Sequence, residues 1–178
     1  MITTRSALAA AAALAAAALV IPSLHAAPTS STRDAVPAAV APTAELVQYG
    51  HIRSLVRTGS RYVLRFDPAF WLGGTTANVA AREDGVIGPG ETVPNDYYIR
   101  DESRKILTYR VPAAARATVL VHGPRGIRSQ RIGMAELAQI VKGRNPNGRR
   151  LYDRGNHLGY WARARIDTVV ALDQQYQP

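Results

Sequence analysis

The chain has 178 residues, 22 Lys and Arg against 13 Asp and Glu, a formal charge of +9, and no cysteine. That length suits one domain plus extensions. The absence of cysteine excludes disulfides, a thiol nucleophile and a lipid-modified cysteine. The positive balance favours anionic partners. Only Lys105 and Lys142 among the 22 cations are lysines, so part of the excess is an arginine-rich composition.

Residues 1–26 read as a cleaved signal peptide. Arg5 supplies a positive start, and Ala7–Ile21 is an apolar run too short to span a bilayer comfortably. Pro22 and Ser23 break the run, and cleavage is expected after Ala26 or Ala27. The expected compartment is extracytoplasmic, with no stable membrane span after cleavage. Residues 27–44 are rich in Ala, Pro, Ser and Thr and are expected to be a disordered tether. Residues 45–178 are then a single globular domain whose stability rests on its core alone.

Within the domain, Val47–Arg57 reads as a first strand and Arg61–Asp67 as a second, joined at Thr58-Gly59-Ser60 into a hairpin. Tyr62, Leu64 and Phe66 alternate with Arg61, Val63 and Arg65, which buries the first set and exposes the arginines. Pro68 should end regular pairing. Phe70-Trp71-Leu72 is then expected to plug the end of the sheet rather than to form an exposed ligand platform. A helix over 77–84 would be capped by Thr75 or Thr76 and stopped by Gly85.

Asn95–Arg100 and Lys105–Val111 read as strands turned at Asp101-Glu102-Ser103. Thr118–His122 is a strand, Arg128–Ile132 a short edge strand, and Met134–Val141 a helix stopped by Gly143. The polar basic segment 142–154 precedes a strand over Tyr160–Asp167, with Tyr160, Ala162, Ala164 and Ile166 inward. Val169–Tyr176 closes the domain and carries Leu172 inward. This order predicts an α+β fold: a small, mostly antiparallel sheet, curled or closed into a barrel, with two short helices. An oligonucleotide/oligosaccharide-binding-like barrel is the specific expectation.

The phrases SRYVLRFDPAFWLGGTTA, AAREDG, VPNDYYIRDE, AELAQIVKG and IDTVVALDQQYQP resemble a group of uncharacterised bacterial exported proteins. The resemblance implies a bacterial exported domain and carries no activity, cofactor or site residue with it.

No catalytic motif stands out. The serines lie in ordinary strand, turn or loop contexts, with no Gly-x-Ser-x-Gly elbow. His51, His122 and His157 lack metal-ligand spacing, and neither a metal nor a cofactor is expected. Asp67 and Asp96 are the candidate acids for an alternative hydrolase reading. The competing expectation is that both bond to backbone at turns. Glu83 and Asp84 lie at a helix C-terminus, where acids are unfavourable, and Arg82 is the nearest compensating charge.

The basic residues are the stronger lead. Trp161, Arg163 and Arg165 share one face of a strand, and Lys142, Arg144, Arg149, Arg150 and Arg154 crowd one loop. Aromatics interleaved with arginine suit stacking combined with phosphate or carboxylate neutralisation. The leading expectation is a non-enzymatic binding domain for an anionic envelope polymer or a protein partner at the cell surface. Export argues against intracellular nucleic acid. A passive envelope component remains the third alternative.

Overall fold

Strand β1 (Glu45–Thr58) is long because it serves two neighbours in succession. Its first half pairs with β8 (Tyr160–Arg165) and its second half with β2 (Arg61–Pro68). The partners change over at Gly50, which lies opposite both Tyr160 and Pro68. A Cβ there would stand 2.2 Å from the Asp67 carbonyl oxygen and 2.8 Å from the Phe66 ring, so only glycine admits this approach. This is a computed structural model, describing residues 44–102, 104–154 and 156–178. The expected signal peptide and all of the expected tether except Ala44 lie outside the described residues.

The remaining strands are β3 (Phe70–Gly73), β4 (Tyr97–Arg100), β5 (Leu107–Pro112), β6 (Arg116–Gly123), β7 (Gly126–Ile132) and β9 (Thr168–Gln174). The helices are α1 (Gly74–Glu83) and α2 (Met134–Ile140). The main sheet runs β5-β2-β1-β8-β9-β6-β7, and a further pairing of β5 with β9 closes β1, β2, β5, β9 and β8 into a barrel. Closure is parallel and brief: Arg110 lies opposite Thr168, and its N–H donates to the Asp167 carbonyl at 2.9 Å. Beyond that point β9 turns its free edge to β6, also in parallel.

Counted in chain order, the barrel strands run first, second, third, fifth, fourth and back to first. The third and fifth are parallel, and a helix lies between the third and fourth. That connectivity is the Greek-key arrangement of an oligonucleotide/oligosaccharide-binding barrel. The expected α+β class and small barrel are therefore observed.

Period-two patterning fills the interior. Tyr62, Leu64 and Phe66 from β2, Ile52 and Leu55 from β1, and Tyr160, Ala162 and Ala164 from β8 form one cluster with Val111, Val169 and Leu172. Met134, Leu137 and Ile140 of α2 pack into the same cluster, and each large side chain so buried contributes roughly 1.5–3 kcal/mol. The alternation in β1 survives a bulge at Arg53, the residue skipped between the Ile52–Phe66 and Ser54–Arg65 pairs.

A satellite sits between β2 and β5. It comprises β3, α1, a 3-10 turn at Pro94–Asp96 and β4, with a small core of Ala77, Ala81 and Val93 under Leu72, Ile87 and Tyr98. Here the structure corrects several expectations. Phe70-Trp71-Leu72 is not a plug but a strand paired with β4, and Phe70 is 59% exposed. Because β4 takes β3 as its partner, it does not form a hairpin with β5, which pairs with β2.

Helix α1 starts three residues earlier than expected, with Gly73 as its N-cap and no side-chain cap; Gly85, at φ +70°, follows its end as expected. Arg100, not Arg82, answers the acids at that end. Its guanidinium bonds Asp84, Glu83 and the Ala80 carbonyl, and it holds the Asp84 carboxyl below the ordinary carboxylate range. Arg82 instead donates to the Glu91 carbonyl at 2.9 Å. Ile166, expected inward, is 84% exposed at φ +58°, because β8 ends at Arg165 and residues 166–167 make the turn into β9.

Candidate functional site

The satellite brings Trp71 against the outer face of the barrel. Strand pairing sets Tyr49 of β1 directly opposite Trp161 of β8, both on that face. Their rings meet edge to face at 5.2 Å, and Trp71 meets Tyr49 at 5.2 Å and Trp161 at 6.3 Å. Tyr97 stacks on Trp71 at 4.4 Å and 9° across the β3–β4 ladder. Aromatic pairs in these geometries are worth about 0.5–1.5 kcal/mol beyond their area.

The C-terminal tail fixes the polar ends of the rings. Gln175 accepts from the Trp161 indole N–H at 2.8 Å, and the Gln177 amide donates to the Tyr49 hydroxyl at 2.8 Å. Burial pushes the Tyr49 phenol above its ordinary pKa, so it stays neutral. Gly159 must be glycine for the same packing: a Cβ would lie 2.2 Å from the Tyr49 hydroxyl.

Beside this anchored cluster is a groove of about 300 Å³, lined by Leu46, Val47, Tyr49, Phe70, Trp71 and Trp161, among others. Leu46, Val47 and Phe70 are more than half exposed, so the groove presents apolar surface to solvent. Two guanidinium-bearing residues continue its β8 wall. Arg163 lies opposite Val47 and Arg165 opposite Glu45, both on the outward face that carries Trp161. Arg163 is 3.8 Å from Asp173, an acid already held by Arg116 at 3.0 Å and by the Thr118 hydroxyl at 2.9 Å. Arg165 has no carboxylate within salt-bridge distance among the described residues.

The Lys142–Arg154 segment does not act as one basic surface. Arg149 forms a two-point pair with Glu136 of α2, and Arg144 donates to Gln139 at 3.2 Å. Lys142 and Arg150 are exposed. Arg150 lines a different cavity, with His122 and His157.

The Arg149 hydrogen bonds, outweighing desolvation, hold the Glu136 carboxyl below its ordinary range. A carboxyl depressed in the fold contributes stability above its unfolded pKa, near 4.3, and loses it as pH falls through the folded value. Glu136→Gln should therefore melt lower than the native domain at pH 6, by roughly 1–2 kcal/mol. The gap should narrow below about pH 4, and thermal melts across that range check it.

The two candidate acids stand in unlike settings. Asp67 is 3% exposed, and its Oδ2 is bound by Arg53, with the Nε contact at 2.7 Å. Its Oδ1 is buried without a hydrogen-bond partner. The expected turn role is thus replaced by an ion pair that the β1 bulge makes reachable. Asp96 sits at φ +58° in the 3-10 turn and is exposed. Sequence reasoning missed Tyr49 and Trp71 as partners of Trp161, and Tyr97 as the ring stacked on Trp71. The only trace of them was the density of aromatic residues in segments far apart along the chain.

No protein-family model, curated protein or solved structure matches this chain. Among the described residues no helix is long and apolar enough to cross a membrane.

Proposed function

We propose that this is an exported, non-enzymatic binding domain whose groove takes a segment of an acidic polysaccharide. The observation that carries the proposal is the alternation of Trp161, Arg163 and Arg165 along one outward face, beside a solvent-facing apolar groove. Flat aromatic and aliphatic surface suits the apolar faces of sugar rings, and guanidinium forks suit carboxylate or sulfate at regular intervals. Anchoring of the rings by Gln175 and Gln177 leaves little ordering cost at binding. A domain exported behind residues 1–26 would meet such a ligand at the cell surface.

The test is retention on immobilised heparin and alginate. Native protein should elute later in a salt gradient than a Trp161→Ala/Arg163→Gln/Arg165→Gln variant, whose affinity should fall roughly tenfold or more. Arg125→Gln/Arg128→Gln, at the β6–β7 turn and outside the groove lining, should behave like native protein. Equal elution of the native and triple-variant proteins would refute the assignment. Tighter binding of single-stranded DNA than of either polysaccharide would transfer the groove to a different ligand class.

A further inference from the structure

A second cavity, of about 580 Å³, lies between the end of β6 and the 150–157 segment. It is lined by His122, Arg150, Tyr152, Asp153, Arg154 and His157, with Leu151 beneath. The lining is tied in place by backbone. The His122 N–H donates to the Arg150 carbonyl at 2.8 Å, the Tyr152 N–H donates to the Leu120 carbonyl at 2.9 Å, and Leu151 bridges to Val121. The segment is in effect a short extra strand on β6, and it sets Arg150 and Tyr152 beside His122.

Asp153 is 8% exposed. Its Oδ2 accepts from the Leu158 N–H at 2.8 Å and the Gln174 amide at 3.3 Å. Gln174 is itself buried and accepts from the Leu120 N–H at 2.8 Å. The other oxygen, Oδ1, lies 3.5 Å from His157 Nδ1. A buried, immobilised carboxylate thus lies within ion-pair distance of an imidazole that is 85% exposed. Arg150 and Arg154 are exposed, with no carboxylate within salt-bridge distance among the described residues.

We propose that this cavity binds a phosphate ester. Two arginines and two histidines line it, and the single lining carboxylate already accepts from Leu158 and Gln174. A planar carboxylate ligand meets one guanidinium fork, whereas a phosphoryl group offers three oxygens that accept from both arginines and an imidazole N–H together. The volume exceeds what inorganic phosphate fills. The Tyr152 ring, 5.6 Å from that of His122, gives the esterified organic group an apolar wall. The site shares no lining residue with the aromatic groove, so it stands or falls independently of the polysaccharide reading.

Calorimetric titration of the full chain with phenyl phosphate and with inorganic phosphate tests the proposal. Phenyl phosphate should bind with a dissociation constant of ~1 mM or tighter, and more tightly than inorganic phosphate. Arg150→Gln/Arg154→Gln, which alters only exposed side chains, should weaken it roughly tenfold or more while melting like native protein. Trp161→Ala should leave it unchanged. Titrating ligand should shift the His122 and His157 side-chain nitrogen resonances in native protein. Phosphatidylglycerol vesicles distinguish a lipid headgroup from a soluble ester. Sedimentation with vesicles that phenyl phosphate reverses supports the site with a lipid source, and phenyl phosphate binding without sedimentation supports a soluble one. Vesicle binding that phenyl phosphate leaves untouched, no binding at ~20 mM ligand, or equal affinity in the double arginine variant would overturn the proposal.

Discussion

Replacing Gly50 by alanine is expected to lower the melting temperature by roughly 10 °C, equivalent to about 3 kcal/mol, at the upper end of ordinary overpacking. The new methyl group would start 2.2 Å from the Asp67 carbonyl oxygen and under 3 Å from two Phe66 ring carbons. Neither neighbour yields easily. The carbonyl belongs to the β1–β2 ladder, and Phe66 is wholly buried at the centre of the main core. Moving the strands apart would disturb both pairings that Gly50 joins, to Tyr160 and to Pro68. The damage should therefore spread across the barrel rather than remain at a strand end. Gly59→Ala is the control, since nothing lies within 4 Å of its Cβ position and only its φ of +62° resists the change. That cost should be about 1 kcal/mol. Indistinguishable melts for the two variants would refute the account of Gly50 as the close approach at which β1 changes partners.

The Arg53–Asp67 pair gives the second large effect. Arg53→Met should destabilise the domain by roughly 2–3 kcal/mol, because a carboxylate buried in the fold loses its charged partner. The value sits at or below the range for fully buried pairs because the Arg53 side chain is 58% exposed. Asp67→Leu in the same background should recover most of the loss, since removing both charges removes the desolvation cost as well. The Asp67 Oδ1 without a partner strengthens this expectation: that oxygen is desolvated with no compensating bond. Denaturant melts of the two single variants and the double variant form the cycle. A double variant as unstable as the sum of the singles would show that packing, not charge, dominates the site.

Much of the barrel was legible along the chain because burial of one sheet face imposes period two. Tyr62, Leu64, Phe66, Tyr160, Ala162 and Ala164 all point inward as their alternation requires. The hairpin of β1 and β2 was legible for the further reason that its turn is local. The β4–β5 hairpin failed on the same logic. Adjacent strands with a turn between them usually pair, but β4 is short, and Phe70–Gly73 reaches it first through the small core of α1. Ile166 misled because its place in the alternation is right while the strand stops one residue earlier.

The candidate site was half legible. Trp161, Arg163 and Arg165 lie on one face by periodicity alone. Their aromatic companions come from positions 49, 71 and 97, and pattern within one strand carries no information about which other strand lies alongside. The charge cluster at 142–154 shows the opposite error. Arginines close in the chain are separated in use, one pairing with Glu136 of α2 and two facing a cavity with His122. Ion pairing depends on what α2 and β6 bring near, and spacing along a loop does not record it.

The amino-acid order by itself determined the α+β class, the inward set of the hairpin, the helix stops at Gly85 and Gly143, and the outward alignment of Trp161 with its two arginines. Each follows from backbone stereochemistry or from side chains a few residues apart. Tertiary structure alone decided that β5 closes on β9, that Arg53 reaches Asp67, that Trp71 meets Trp161, and that His157 faces a buried carboxylate beside His122. Those contacts join segments whose neighbours are set by how a twisted sheet closes, and the closure is selected by the packing of the entire core.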